Sequence, residues 1–448
     1  MKKNLKTLFI IILAVVTVLT LTACRGASAY ELAQRAGYTG TEDQWLESLK
    51  GKSGEDGRDF NVGYTAYQLY EEAVADGGFS GTFLDFIAQY FGTAYSGGAE
   101  AAVNEAVFSV VSVYCRFPVS SGRFSTQTYY ASSAGSGVIY SLDKNTGDAL
   151  IITNYHVVYN SSSLTSDKIA SEINVFLFGN EITGGAISCT FVGGTSQYDL
   201  ALLRVSGSSI IKSSSAKAAT FADSDELRLG EAVVAIGNPE AGGISVTRGI
   251  LSVESETITL SDVSGDTNKI RVLRHDAAVN PGNSGGGLFN ADGKLIGIVN
   301  AKTVTDGVDD MNYAIPSNTV AAVVKGLVTY CLDKNNKTFY RPYIGVTIGV
   351  TASEGRFNAE RNCAEIVETV VAETVASGSL AYGKIQAGDK FTSVSYGGKT
   401  KTITRSYQII DVVISLFVGD EVTFTVVRSG ATYEIPITIT SSSITAVA

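Results

Sequence analysis

The feature that most constrains the fold is a long series of short apolar runs separated by turn-forming residues. From about residue 101 onward, clusters of Gly, Ser, Asn and Asp stand between these runs, which include residues 107–114, 137–140, 149–153, 175–178, 200–205 and 232–236. Runs of this length between turn signals are typical of β-strands, and many in succession favour barrels or sandwiches. The chain is therefore predicted to be mainly β.

Length and charge limit the classes of protein that remain. A chain of 448 residues is long enough for about three domains, and its 45% hydrophobic content excludes a wholly disordered polymer. The formal net charge of −10 disfavours a phosphate backbone as ligand, so no nucleic acid partner is expected. The chain has only two histidines, His156 and His275, so imidazole chemistry must use one of them. The cysteines show no metal-ligand spacing, and no metal is expected.

The first residues are predicted to be an export signal. Three lysines precede an apolar run over residues 8–21, which is too short to span a bilayer comfortably as a helix. The next residues, Leu21-Thr22-Ala23-Cys24, resemble the bacterial lipobox. This resemblance implies a signal peptide over residues 1–23 and a lipid on Cys24, which would anchor the protein to the outer face of the bacterial cytoplasmic membrane. The alternative is an ordinary signal peptide with a chance cysteine.

Residues 24–100 contain a weak internal repeat. Residues 28–32 (SAYEL) recur as residues 65–69 (TAYQL), and each copy continues into an apolar segment at helical spacing. The pattern predicts a small helical N-terminal region. Its role is open between a spacer that lifts the next domain from the membrane and a module that binds the cell envelope.

Three separated stretches contain the residue types of nucleophilic catalysis. Residues 280–287 read NPGNSGGG, where glycines allow Ser284 to sit in a tight turn whose N–H groups face an oxyanion. His156 ends one apolar strand, and Asp199 opens another, where an acid needs a hydrogen-bonding partner. Taken alone, the serine loop is compatible with an ordinary glycine-rich turn. His275 is the rival base, but its position nine residues before Ser284 predicts a side chain directed away from it.

The order His156, Asp199, Ser284 is that of chymotrypsin-like enzymes, and the match extends beyond these three residues. Five further segments resemble the HtrA (Deg) family of envelope proteases: GSGVI (135–139), GEAVVAIGNP (230–239), VTRGI (246–250), DAAVN (276–280) and NYAIP (312–316). The resemblance covers roughly residues 101–448. It implies a trypsin-like double β-barrel protease domain over residues 101–338 and a PDZ domain over residues 339–448.

The resemblance also implies a mechanism without a cofactor. Ser284 would attack a peptide carbonyl, His156 would carry the proton, and Asp199 would hold the imidazole. The N–H groups of Gly282, Asn283 and Ser284 would bind the oxyanion. Because Asn283 is uncharged, activation by an ion pair with a new N-terminus is excluded, and ordering of loops such as residues 117–133 and 242–243 would replace it.

The resemblance places a substrate pocket beside the serine. Its predicted lining is Ala278, Val299, Asn300, Ala301 and Ala314. Without an acid at Ala278, the pocket is expected to accept a small or medium aliphatic side chain.

The last segment resembles a PDZ domain. Tyr343, Ile344, Gly345 and Val346 look like its carboxylate-binding loop, which would capture peptide C-termini on backbone N–H groups. Residues 364–383 do not follow the family's small-residue pattern, so ligand preference is open. The alternative is a PDZ fold that mainly packs on the protease domain or on a neighbour.

The predicted function is that of an HtrA-like serine endopeptidase that cleaves unfolded or misfolded exported proteins in protein quality control. Assembly as a homotrimer is what the resemblance implies. Two alternatives come from other classes: a chaperone or peptide-binding scaffold with a closed cleft, and a surface adhesin that uses the N-terminal repeats.

Overall fold

The computed structural model describes residues 97–120, 127–181, 184–261, 267–300, 311–332 and 336–447, with short pieces between residues 39 and 80. The chain divides into two compact units, Met1–Ser96 and Gly97–Ala448. In the first unit the described pieces are helical at residues 70 and 73–75, and the ring of Tyr70 meets that of Phe79 edge-on. The export signal, Cys24 and most of the predicted repeats lie outside the described residues.

The second unit begins with helix α1 (Gly97–Ala106), a 3-10 turn (Val107–Ser109) and a closed six-stranded barrel. Around the barrel the strand order is β1-β2-β3-β6-β5-β4. The strands are β1 (Val110–Ser120), β2 (Thr128–Asp143), β3 (Asp148–Thr153), β4 (Glu172–Leu177), β5 (Ile187–Thr195) and β6 (Leu200–Val205). In β4 every second side chain is buried, as expected for a strand with one face toward a core.

A second closed barrel follows with the same connectivity. Read from its first strand, the order is β7-β8-β9-β12-β11-β10. The strands are β7 (Ala232–Gly237), β8 (Ser245–Ser261), β9 (Thr267–His275), β10 (Gly287–Asn290), β11 (Leu295–Asn300) and β12 (Asn312–Pro316). All six residues of β11 are buried, which matches its uninterrupted apolar sequence up to Asn300. Two short helices lie in the connections: α2 (Tyr155–Val158) follows β3 of the first barrel, and α3 (Ser209–Ser213) lies between the last strand of the first barrel and β7.

The third domain is a sheet with one helix. Its strand order is β14-β15-β16-β18-β19, and β17 pairs with β16. The elements are β14 (Val346–Asn358), β15 (Cys363–Val375), β16 (Lys390–Tyr396), β17 (Lys399–Thr402), α5 (Ser406–Ser415), β18 (Glu421–Arg428) and β19 (Ala431–Thr438). Two barrels followed by a separate β domain confirm the predicted fold class.

Helix α4 (Ser317–Cys331) links the second barrel to the third domain. The last strand, β20 (Ile444–Val447), pairs antiparallel with β13 (Phe339–Pro342) in a two-stranded sheet. Beside α4, a buried ionic cluster joins the two domains. Arg271 of β9 forms ion pairs with Asp225 and with Asp411 of α5, and its guanidinium lies 3.4 Å from the centroid of the Tyr407 ring. Both domains therefore share one set of buried charges.

None of the four cysteines in the described part of the chain forms a disulfide. Cys115 and Cys189 both point into the first barrel, on either side of Ile173. Strands two apart in a sheet lie about 9–10 Å from one another, whereas a disulfide needs Cα atoms within about 7 Å. Burial raises the pKa of each thiol to about 12, so both are inert thiols. None of the helices in these described segments combines the length and the apolar composition of a membrane-spanning helix.

Candidate active site

His156 and Asp199 meet on the first barrel. The chain changes direction after β3, where helix α2 begins, and His156 lies in the first turn of this helix. The ring Nδ1 of His156 lies 2.7 Å from Oδ2 of Asp199, and the backbone N–H of His156 donates to Oδ1 of Asp199 at 3.0 Å. The carboxylate therefore contacts both the imidazole and the backbone of the same residue, which fixes the ring orientation relative to its own main chain.

The main chain at Asp199 is held in an unusual conformation. Its φ of 50° lies in the left-handed region, which costs about 1 kcal/mol or more for a residue with a side chain. The side-chain amide of Asn154 donates to the carbonyl of Asp199 at 2.8 Å and so supports this conformation. A strained backbone that aims a buried carboxylate at an imidazole is a frequent feature of functional sites.

A third donor reaches Asp199 from the second barrel. The side-chain amide of Asn300, at the end of β11, donates to Oδ2 of Asp199 at 3.0 Å. Asn300 is buried, and so is Asp199. The second barrel therefore contributes directly to holding the aspartate of the first barrel.

Ser284 sits in a turn that depends on its glycines. Gly282 has φ 101° and Gly285 has φ 85°, and a Cβ at Gly285 would collide with the carbonyl of Ser136 and the hydroxyl of Thr153. The backbone N–H of Ser136 donates to the carbonyl of Ser284 at 2.8 Å. Thr153 lies three residues before His156. The glycines therefore let the serine turn pack directly against the strand that leads to the histidine.

Gly135 gives a second measure of this close approach. A Cβ there would lie 2.7 Å from Cγ1 of Val157 and 3.2 Å from the carbonyl oxygen of Ser284. Val157 is the residue after His156. The three predicted catalytic residues thus come from segments that the barrels bring together at one junction.

The orientation of the peptide planes around Ser284 corrects one prediction. Asn283 was expected to be an oxyanion donor, but its N–H donates to the carbonyl of Asn280 at 3.0 Å within the turn. The carbonyls of Pro281 and Asn283 accept from Glu240 at 2.7 Å and from Gly286 at 2.9 Å. In a trans peptide the N–H is opposite the carbonyl, so the N–H groups of Gly282 and Ser284 point away from those two donors. They remain the candidate oxyanion donors.

The described residues of the predicted substrate pocket differ in exposure. Val299 and Ala314 are fully buried in the core of the second barrel, whereas Ala278 is exposed. The side chain of Asn300 is committed to Asp199, and Ala301 lies outside the described residues. The pocket lining stays a prediction.

His275 lies apart from this junction. It is fully buried at the end of β9, where it pairs with Asn312 of β12 and Leu251 of β8. Burial lowers its pKa to about 4, although Asp276 and the backbone at Ala277 act in the opposite direction. An imidazole of this kind is a neutral core side chain near pH 7, as expected for a residue outside the triad. Among the described residues, no cluster of three or more His, Cys, Asp and Glu side chains could hold a metal.

The predicted carboxylate-binding loop lies at the start of β14. Gly345 has φ 81°, and the carbonyls of Ile344 and Gly345 accept from the N–H groups of Ala381 at 3.1 Å and Ala376 at 2.8 Å. These bonds turn the two carbonyls toward the 376–381 segment. Strand β14 is the edge of its sheet, and α5 contacts it. An edge strand beside a helix is a suitable template for an added peptide strand.

Comparison with known proteins assigns the family. Residues 135–298 match the family model of the trypsin-like peptidase domain. The serine protease Do-like HtrA of Lactococcus lactis subsp. cremoris is 36% identical over 310 residues, which are 67% of this chain and 69% of that protein. The chain belongs to the HtrA family of serine proteases. This result confirms the resemblance found in the sequence motifs.

A second relative of this HtrA-family chain supports the same family assignment. The serine protease Do-like HtrA of Bacillus subtilis is 37% identical over 312 residues, but the chain spans only 62% of that protein's length. A solved structure, the HtrA-type protease AlgW with a decapeptide, superposes with a TM-score of 0.48 and 24% identity over 76% of this chain and 98% of that one. That superposition is too loose to add to the family assignment.

The sequence motifs did not reveal two contacts in this HtrA-family site. One is the bond from Asn300 to Asp199, because Asn300 was predicted to line the substrate pocket. The other is the hydroxyl of Ser136, which donates to the carbonyl of Gly282 at 2.7 Å. Ser136 lies in the GSGVI segment. The motif identifies this serine but does not predict the direction of its side chain.

Proposed function

We propose that the protein is a serine endopeptidase that cleaves peptide bonds through an acyl-enzyme on Ser284. The Ser284 hydroxyl adds to the peptide carbonyl while His156 takes its proton. The C–N bond then breaks, and His156 returns the proton to the leaving amine. Water, activated in the same way, hydrolyses the ester to a carboxylic acid and restores Ser284. Asp199 orients the ring and stabilises the imidazolium.

The observation that carries this proposal is the 2.7 Å contact between His156 and Asp199, because it pairs the one of the two histidines that is partly exposed with a buried acid. The tight packing of the Ser284 turn against the strand before His156 supports the same assignment. The N–H groups of Gly282 and Ser284 supply donors for the oxyanion, whose loss costs about 3–4 kcal/mol of transition-state stabilisation per donor.

Unfolded exported proteins are the proposed substrates. A cleft of this type needs an extended backbone and an exposed aliphatic side chain, which folded proteins bury. We also propose that the third domain is a PDZ domain that binds peptide C-termini along β14. Export, lipidation of Cys24, attachment to the outer face of the cytoplasmic membrane and a homotrimeric assembly complete the proposal.

The decisive experiment compares the exported wild-type protein with Ser284→Ala and His156→Ala. The wild type should cleave β-casein, an unfolded protein, and react with a fluorophosphonate probe, whereas both variants should lose these reactions. Retention of β-casein cleavage by Ser284→Ala would reject the mechanism. Equal suppression of aggregation by the wild type and Ser284→Ala, with no cleavage by either, would instead favour the chaperone alternative.

A separate experiment tests the PDZ assignment. A fluorescent peptide ending in a free carboxylate should bind the full chain, and its C-terminal amide should not. A side chain at Gly345 would collide with Ser379 and displace the loop. In Gly345→Val the free-carboxylate peptide is therefore expected to bind no better than the amide. The matched control is Gly378→Val, since Gly378 also has positive φ but faces open space. Equal binding of both peptides would reject carboxylate capture.

A further inference from the structure

Ser136 in β2 contacts two turns of the active site through its hydroxyl and its backbone N–H group. The hydroxyl donates to the carbonyl of Gly282 at 2.7 Å and accepts the N–H of Asn238 at 2.8 Å. Its backbone N–H donates to the carbonyl of Ser284 at 2.8 Å. Ser136 is fully buried. A side chain of the first barrel therefore contacts the turn that carries the nucleophile and the turn after β7.

The bond to Gly282 matters because of the conformation of that glycine. With φ 101°, Gly282 joins two peptide planes whose relative rotation a glycine does not restrict. The plane before it is held by the bond from Glu240 to the carbonyl of Pro281. The plane after it contains the Gly282 carbonyl and the Asn283 N–H. The carbonyl accepts from the hydroxyl of Ser136, and the N–H donates to the carbonyl of Asn280. The Gly282 N–H lies in the first of these planes, opposite the Pro281 carbonyl, so its direction depends on the bond from Glu240.

Ser136 acts on both planes. It holds the Gly282 carbonyl directly. Through the N–H of Asn238 it also fastens the turn that carries Glu240, which has φ 53° and is followed by Ala241 with φ 57°. Two consecutive left-handed residues with side chains are strained, so this turn needs external contacts to persist.

The packing leaves little space for a water molecule to replace the hydroxyl. A Cβ on Gly237 would lie 3.0 Å from Oγ of Ser136 and 2.6 Å from Oδ1 of Asn283. Asn238 is fully buried, so loss of the hydroxyl would leave its N–H without its present acceptor. Rotation of the Gly282 planes would be the easiest relaxation, because a glycine resists it least.

We propose that Ser136 is a positioning residue for the oxyanion hole: its hydroxyl fixes the peptide plane after Gly282 and, through the Asn238 N–H, the turn whose Glu240 N–H holds the plane before it, so that the Gly282 N–H faces the oxygen of the scissile carbonyl. This inference rests on the proposed peptidase function. Ser136 does not touch the substrate, so its removal changes transition-state stabilisation rather than substrate binding.

The test uses full-length Ser136→Ala, a peptide p-nitroanilide with valine before the scissile bond, and the corresponding peptide boronic acid. Boronates form a tetrahedral adduct with a catalytic serine and need the same oxyanion donors. We expect kcat to fall about 10- to 100-fold, KM to stay within about twofold, and the boronate inhibition constant to rise by the same factor as kcat falls.

The chain offers a matched control in Ser112→Ala. Ser112 is the residue directly opposite Ser136 on β1, it is also fully buried, and its hydroxyl bonds to Glu181 at 2.8 Å instead of to the active site. Ser112→Ala should lose stability and keep wild-type kcat. Should Ser136→Ala not fold, Ser136→Cys carries the same test, because a thiol fills the space with a much weaker donor.

The outcomes separate this inference from the function on which it rests. A wild-type protein that cleaves neither the p-nitroanilide nor β-casein would reject both. A wild type that cleaves, together with a Ser136 variant whose kcat stays within twofold of Ser112→Ala, would reject only the role of Ser136. A rise in KM with unchanged kcat would reject it as well.

Discussion

The amide of Asn300 donates to Oδ2 of Asp199 across the boundary between the two barrels, at 3.0 Å. The same oxygen lies 2.7 Å from the ring of His156. The carboxylate is thus fixed by a donor from each barrel, so the orientation of the imidazole depends on the relative position of the barrels. A displacement of one barrel relative to the other would move Oδ2 of Asp199, and the ring of His156 would move with it.

Asn300→Ala should therefore lower kcat while KM changes little. A hydrogen bond to a charged group contributes about 1.5–3 kcal/mol, which corresponds to a decrease of roughly 10- to 150-fold. Steady-state cleavage of a peptide p-nitroanilide measures it. Asn318→Ala is the control, because Asn318 donates to Asp223 outside the site at 2.7 Å. Equal kcat values for the two variants would show that Asn300 does not position the aspartate.

Gly282→Ala should strongly reduce the rate of cleavage. Gly282 has φ 101°, and a Cβ there would collide with the carbonyl of Asn238, so the turn must rearrange. We expect kcat/KM to fall at least about 100-fold, as for loss of an oxyanion donor. Gly207→Ala is the control, since Gly207 has φ 66° but no atom near its would-be Cβ. It should cost about 1 kcal/mol of stability and leave kcat/KM unchanged. Similar kcat/KM values for both variants would contradict the prediction.

The sequence predicted the parts of this site that depend on local pattern. Short apolar runs between turn-forming residues led to the fold class. The glycine-flanked serine and an acid at the start of an apolar strand led to the predicted pairing of His156 with Asp199. The donors of the oxyanion turn were predicted less well, because a motif identifies residues and not the directions of their N–H groups. Asn283 was assigned a role that its bond to Asn280 excludes.

Contacts between distant segments were the least predictable. Asn300 and Asp199 are 101 residues apart, and their contact exists only because both barrels close and then pack together. Arg271 illustrates the same limit. It lies in a strand of the second barrel, and nothing in its neighbourhood along the chain indicates a buried partner in α5.

Acid should destabilise the protein through His275. Its pKa is about 4 in the fold because of burial, against about 6.5 in the unfolded chain, so between pH 6.5 and 4 the unfolded chain binds the extra proton. Stability is therefore lost as pH falls through this range, by about 3 kcal/mol at pH 4. Below pH 4 both states are protonated and this contribution stays constant.

His275→Leu removes this contribution, so the pH dependence of its unfolding free energy between pH 7 and 4 should be weaker than that of the wild type by the same amount. Urea unfolding at a series of pH values measures the difference. Carboxylates that titrate in this range contribute equally to the unfolding free energy of both proteins, so their contributions cancel in the comparison. Parallel curves for the wild type and His275→Leu would show that His275 is not the acid-sensitive group.

The buried cluster around Arg271 should make the two domains depend on one another for stability. Arg271 lies between Asp225 and Asp411, and all three side chains are largely buried. Burial raises the pKa of Asp411, and Arg271 opposes this effect. Removing one partner of a buried pair leaves an uncompensated charge and costs about 3–5 kcal/mol. Arg271→Met should therefore destabilise the fold by about that amount in urea unfolding.

Two further variants make this last prediction specific. Arg116→Ala breaks a half-exposed pair with Glu172 and should cost less than about 1 kcal/mol. Adding Asp411→Leu to Arg271→Met removes the stranded carboxylate, while Asp225 keeps its ion pair with Lys401. The double variant should therefore be more stable than Arg271→Met alone. If Asp411→Leu only adds to the loss, the energy at this interface comes from the packing of Arg271 on Tyr407 and not from the paired charges.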